Sequence, residues 1–214
     1  MGVVSRIEEK LLGLSVRRHG LLVAGSVVVL GVVNAVLDAS YAASGHPVSY
    51  AEGQTTFSGS EIKGFYAVME DGGTLGRYWQ TQFIDFGFIA MMIVVGGAVG
   101  LLLARLGHPG SVAARLGRLA AVVIPLGAAF DVVENLISFV MLADPQGFPE
   151  WLAVPYSAAA VVKFGLIGLG MVALIGSLIA LLVGRTLRRL VGRSVDRQAN
   201  GASERVFDFL AVVG

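Results

Sequence analysis

Four long apolar runs, separated by segments that carry most of the charge, constrain this chain more than any other feature. They extend from about Leu21 to Tyr41, Phe83 to Ala104, Leu119 to Leu142 and Ala153 to Val183. Each reaches the roughly 20 residues that a ~30 Å hydrocarbon core demands of a helix. In lipid a spanning backbone must satisfy its own N–H and C=O groups, which restricts it to helices or closed barrels. Continuous runs of this length specify helices. The fourth is the longest, so it is expected to tilt or to extend past the bilayer. Charged residues make up only 14% of the chain, against about a quarter in a soluble domain. The reading is an all-α, four-helix transmembrane bundle forming a single membrane domain over residues 1–214. It has an outer loop over 42–80 and a tail over 184–214.

Basic residues set the orientation. Arg6, Lys10, Arg17 and Arg18 precede the first run. Arg105, Arg115 and Arg118 lie between the second and third. Arg185, Arg188, Arg189, Arg193, Arg197 and Arg205 follow the fourth. The opposite side holds only Lys63 and Arg77, while Lys163 lies inside the fourth run. Under the positive-inside rule both termini are cytoplasmic and the protein is multi-pass in a plasma (inner) membrane. The basic start and the small residues around Ser40-Tyr41-Ala42 also fit a cleavable signal peptide, but the apolar run is long for one. Arginine outnumbers lysine strongly, which hints at a bacterial source. The net charge of +1 gives no field that would recruit nucleic acid. There is no cysteine, so disulfides and thiolate metal sites are excluded. His19, His46 and His108 all fall outside the runs, so neither a metal nor another cofactor is expected.

The outer loop is too long to be mere connection. Ser58 and Glu61 stand at capping-box spacing, which predicts a helix over Glu61–Glu70 presenting Ile62, Phe65, Tyr66 and Met69. That helix should lie on the membrane surface or cap the mouth of the bundle. Tyr78 and Trp79, with Trp151 and Tyr156, are placed in an aromatic belt at the outer interface. In the tail, Leu187, Leu190 and Val191 alternate with arginines, which suits an amphipathic basic helix against anionic lipids. Ser203 could cap a last turn carrying Phe207, Phe209 and Leu210. A solvated end reads equally well.

Ionisable residues inside the runs are costly, roughly 2.5–3.5 kcal/mol each at mid-bilayer. Asp38, Asp85, Asp131, Glu134 and Lys163 all fall in the outer half of their runs, and none in the inner half. Asp131, Glu134 and Asn135 share one helix face at i, i+3 and i+4. Asn34 and Asp38 are four apart, and Gln82 and Asp85 three apart. These stripes converge on an outward-opening pocket of Asn34, Asp38, Asp85, Asp131, Glu134, Asn135 and Lys163. Lys163 should pair most strongly with Glu134 or Asp131. Four carboxylates against one lysine leave a formal excess of −3, so at least one acid holds a proton or a cation fills the gap. Gly96 and Gly100, with Gly165, Gly168 and Ala173, are the small residues expected to let helices approach.

The stretch Gly64-Phe65-Tyr66 through Arg77-Tyr78-Trp79-Gln80 and Gln82-Phe83-Ile84-Asp85-Phe86, the run Phe130-Asp131-Val132-Val133-Glu134-Asn135, and the lone lysine of the last span form a pattern. It resembles an uncharacterised group of small four-helix bacterial integral membrane proteins. The resemblance covers about two thirds of the chain. It implies a four-helix membrane bundle and no particular activity.

Three function classes follow. The first is binding or transport of a small polar or cationic ligand, or of protons, through the intramembrane pocket. With four spans, transport would call for a homo-oligomer. The second is a structural or accessory subunit in which the charges are interhelical glue. The third is an intramembrane enzyme on a lipid-like substrate, with Asp131 or Glu134 as acid or base. It ranks last.

Overall fold

The computed structural model describes residues 13–213, with side chains described over 13–188. Six α-helices follow one another, and no strand occurs among the described residues. They are α1 (Val16–Ser44), α2 (Tyr50–Gln54), α3 (Gly59–Asp71), α4 (Leu75–Leu106), α5 (Val112–Ala143) and, after a one-turn 3-10 helix at Glu150–Leu152, α6 (Ala153–Val213). Helices α1, α4, α5 and the segment Glu150–Arg188 are each long and apolar enough to cross a membrane. That is the build of an integral membrane protein.

Local chemistry sets the helix starts. The hydroxyls of Ser15, Ser49, Ser58 and Ser111 each accept a first-turn N–H of the helix that follows, which satisfies one of the orphan donors there. Gly45 ends α1 with φ 65°, the left-handed conformation that glycine adopts most cheaply. Thr74 then donates from Oγ1 to the Ser44 carbonyl at 2.6 Å, tying the end of α1 to the start of α4.

The four long helices do not share the core equally. Helix α5 packs extensively on both α4 and α6, while α1 lies along α4 and makes no comparable contact with α5 or α6. Only 6% of the most apolar stretch of α1 is buried. The packing is therefore a three-helix core with a peripheral fourth helix. Close approach in the core occurs at glycines. A Cβ on Gly100 would lie 2.6 Å from the Ala121 nitrogen and the Gly117 oxygen. One on Gly117 would lie 2.6 Å from the Ala104 nitrogen. Gly127 brings α5 against α6, where a Cβ would sit 3.2 Å from the Lys163 oxygen. The expected roles of Gly96, Gly100 and Ala173 match this packing, since all three are buried. Gly165 and Gly168 do not, because among the described residues nothing lies within 4 Å of a Cβ at either. They face away from α5, whereas Gly170 turns toward it.

The outer loop forms the lid of the core. Ser58 caps α3 as its spacing predicts, and Ile62, Tyr66 and Met69 are buried. They pack with Tyr78, Met141, Leu142, Phe148 and Tyr156. This corrects the aromatic-belt reading for two residues. Tyr78 and Tyr156 are 3% exposed, because the capping helix covers them. Trp151 is exposed as expected. Beyond Arg188 the amphipathic reading of the tail and the capping role of Ser203 rest on side chains outside the described residues.

Candidate functional site

Beneath the lid, three core helices bring together the ionisable side chains that the sequence marks as costly. Asp85 comes from α4, Asp131, Glu134 and Asn135 from one face of α5, and Lys163 from α6. All five are at most 4% exposed. Lys163 Nζ donates to Asp131 Oδ1 at 2.8 Å and lies 2.6 Å from Glu134 Oε2. The expected pairing with one acid or the other is therefore a pairing with both. Nζ also stands 4.9 Å from the centre of the Phe164 ring. Asn135 donates from Nδ2 to Asp85 Oδ2 at 2.7 Å. One turn further along α5, Ser138 accepts from Gln82 Nε2 at 2.7 Å.

Asn34 and Asp38 do not join this group. Both are exposed, and Asn34 Nδ2 donates to Asp38 Oδ2 at 2.8 Å. The i, i+4 spacing does put the two on one face, but that face points away from the core. Helix α1 contacts only α4 extensively, so just one narrow strip of its surface is interior, and that strip carries Ser40. The Ser40 hydroxyl meets Thr81 Oγ1 at 2.7 Å.

The outer loop supplies two members that the stripes on the long helices do not reveal. Gln54, at the end of α2, is 4% exposed and accepts from Lys163 Nζ at 3.1 Å. Tyr50, at the start of α2, has a buried hydroxyl with no hydrogen-bond partner among the described residues. Burial, then the charge of Asp85 with those of Tyr41, Asp131 and Glu134, raises the Tyr50 hydroxyl far above its ordinary range. It therefore stays protonated and stays a donor. A signal for α2 does exist in the sequence, because Ser49 and Glu52 repeat the spacing of Ser58 and Glu61. Ser138 was equally legible as the i+7 continuation of the Asp131 stripe. The mouth of the site is thus covered rather than open. Phe57 closes the turn after α2 with φ 55°, a left-handed conformation that costs a side-chain-bearing residue roughly 1–2 kcal/mol. Its N–H donates to Ser157 Oγ of α6 at 3.1 Å, which offsets part of that strain and pins the lid.

The donor and acceptor balance of the cluster is uneven. Three carboxylates face one lysine, a formal charge of −2. Glu134 Oε1, Gln82 Oε1 and Asn135 Oδ1 are buried without a partner among the described residues. All three are acceptors, and a buried acceptor left unpaired costs about 1–3 kcal/mol. The arrangement is short of protons or positive charge, and it suits a species that donates hydrogen bonds or carries positive charge.

His46 sits in the lid among aromatic rings, with Tyr41, Tyr78 and Phe65 centred 5.2–5.3 Å away. Burial lowers its pKa, against a smaller opposing effect of the Val48 carbonyl. The folded state thus prefers neutral imidazole, while the unfolded chain takes up a proton near pH ~6.5. Stability from this group is complete above that pH and is lost as pH falls below it. Thermal unfolding in detergent should show a lower midpoint at pH 5 than at pH 7.5. His46→Gln should reduce that difference, and an unchanged difference would remove His46 as its source.

Comparison with family models, curated proteins and solved structures gives no match. The functional reading therefore stands on geometry.

Proposed function

We propose that this chain is a multi-pass protein of the plasma (inner) membrane, with both termini cytoplasmic, whose polar cluster is an occluded site for a proton or a small cation. The observation that carries the reading is the surplus of buried acceptors and negative charge around Lys163. Intramembrane acids of this kind mark ion and proton paths. On the positive-inside orientation the cluster lies toward the outer face, beneath a lid formed by α2 and α3. Entry from that side requires Gln54 to leave Lys163 and Tyr50 to withdraw. Helix α2 is suited to such a movement, since it is only five residues long and exposes Ala51 and Glu52.

A second reading is supported by the same geometry. Lys163 has direct partners on α5 and in the lid, and Asp85 is bonded by Asn135. Such a lattice also serves as structural glue in an accessory subunit.

Infrared difference spectroscopy of purified protein between pH 5 and 9, with and without added Na⁺ or K⁺, separates the two readings. The expected result is a band from a protonated buried carboxyl that disappears on titration or on cation addition. Glu134→Gln should fold and lose that response. If wild type shows neither band nor cation response, or if Glu134→Gln fails to fold, the cluster is glue.

A further inference from the structure

A second feature lies at the opposite, arginine-rich end of the bundle. A cleft of about 500 Å³ opens between the α4–α5 connection and α6. Its polar lining includes His108, Ser111, Arg185 and Arg188, its apolar lining includes Leu106 and Leu181, and among the described residues no acidic one lines it. We propose that this cleft binds the phosphate headgroup of an anionic phospholipid.

Three observations support that occupant. The first is charge. Arg185 and Arg188 lie three apart on α6 and so share a face. The Nε of Arg188 donates to the Gly184 carbonyl at 3.3 Å, which holds the guanidinium along the helix at the cleft wall. Arginine presents a planar fork that matches phosphate oxygens. The second is the opposite wall, where α5 begins. Ser111 accepts from the Ala114 N–H at 3.2 Å, while Val112 and Ala113, in the first turn of a 32-residue helix, belong to the lining. A long helix of that kind adds partial positive charge at its start. The third is depth. Helix α4 ends at Leu106, α5 begins at Val112, and the last apolar run ends at Val183. The cleft therefore straddles the level at which apolar surface gives way to charge.

Depth and lining also separate a lipid from a soluble phosphate. Leu178 and Leu182 are exposed and stand seven and three residues before Arg185, on its face of α6. An acyl chain descending from a headgroup at Arg185 runs along those side chains. A free phosphate gains nothing from them. The tail arginines of the sequence supply a general attraction to an anionic leaflet, whereas the cleft defines a place where one lipid is held.

The test uses the full chain in nanodiscs of phosphatidylcholine doped with phosphatidylglycerol. Retained lipid is counted by native mass spectrometry for wild type and for Arg185→Gln/Arg188→Gln. A basic residue near an anionic surface is worth about a fivefold change in partitioning. Loss of both arginines should therefore weaken phosphatidylglycerol retention about 30-fold while leaving phosphatidylcholine unchanged. Val112→Trp fills the cleft without altering charge, and it should also displace the lipid. Full retention in either variant overturns the proposal. Displacement of phosphatidylglycerol by millimolar inorganic phosphate also overturns it, because the occupant is then a soluble anion. Retention lost in both variants and resistant to phosphate sustains it.

Discussion

Replacing Lys163 with methionine should remove the folded protein from a detergent extract or lower its thermal midpoint by roughly 10 °C or more. The physical cause is the geometry around Nζ. The ammonium lies 2.8 Å from Asp131 Oδ1, 2.6 Å from Glu134 Oε2 and 3.1 Å from Gln54 Oε1. Methionine matches much of the aliphatic stem but carries no charge, so the packing of the stem is largely kept and the counter-charge is lost. Three carboxylates then remain buried with no cation. Breaking a buried pair by removing one partner costs about 3–5 kcal/mol, and a chain of this size loses about 2–4 °C per kcal/mol. The complementary result identifies the cause. Adding Asp131→Asn and Glu134→Gln to Lys163→Met should restore much of the loss, because buried charges replaced by neutral groups of similar volume are tolerated. If Lys163→Met melts like wild type, the ion pairs do not hold α5 and α6 together. If the triple variant is no better than the single one, lost packing rather than uncompensated charge is responsible.

The same residues show how far a single sequence reaches. Run length and apolarity suffice to place four helices long and apolar enough to span a membrane, because lipid leaves the backbone few options. The Asp131, Glu134 and Asn135 face was legible since helical spacing puts those positions together whatever surrounds them. Lys163 was legible because a lone buried cation among acids must pair. The direction of the Asn34 and Asp38 face was not. Spacing shows that two residues share a face but does not show which way that face turns, and α1 turns its polar pair outward. The outer loop was the hardest part. Its capping boxes announce helices, but nothing local reveals that Gln54 reaches Lys163, 109 positions away in sequence. Glycines show the same limit. Gly165 and Gly168 look like packing residues by type, and Gly127 and Gly117 are no different in type. Only the facing helix separates those that carry an approach from those that do not.

That separation yields the second large effect. Gly100→Val should prevent assembly of the core, while Gly97→Val, three residues away on the same helix, should be tolerated. At Gly100 the atoms that a Cβ would meet are the Ala121 nitrogen at 2.6 Å, the Gly117 oxygen at 2.6 Å and the Ala121 Cα at 2.8 Å. All are backbone of α5, which cannot rotate aside as a side chain can. At Gly97 nothing lies within 4 Å. Overpacking a core with side-chain freedom costs about 1–3 kcal/mol. A clash with rigid backbone exceeds that range, because relief requires α4 and α5 to separate along their length. Separation propagates to the site. Asp85 and Gln82 are carried by α4, and their bonds to Asn135 and Ser138 of α5 are 2.7 Å long, so a shift of about 1 Å carries both past ordinary hydrogen-bond distance. Size-exclusion profiles and thermal midpoints of the two variants in one detergent make the comparison. Aggregation or a large drop for Gly100→Val beside a near-native Gly97→Val is the expected pattern. It would attribute the spacing of the polar cluster to a single backbone crossing. Equal behaviour of the two variants would mean that α4 and α5 are held apart by other contacts, and that the acids of the cluster are positioned by the lid and by Lys163 instead.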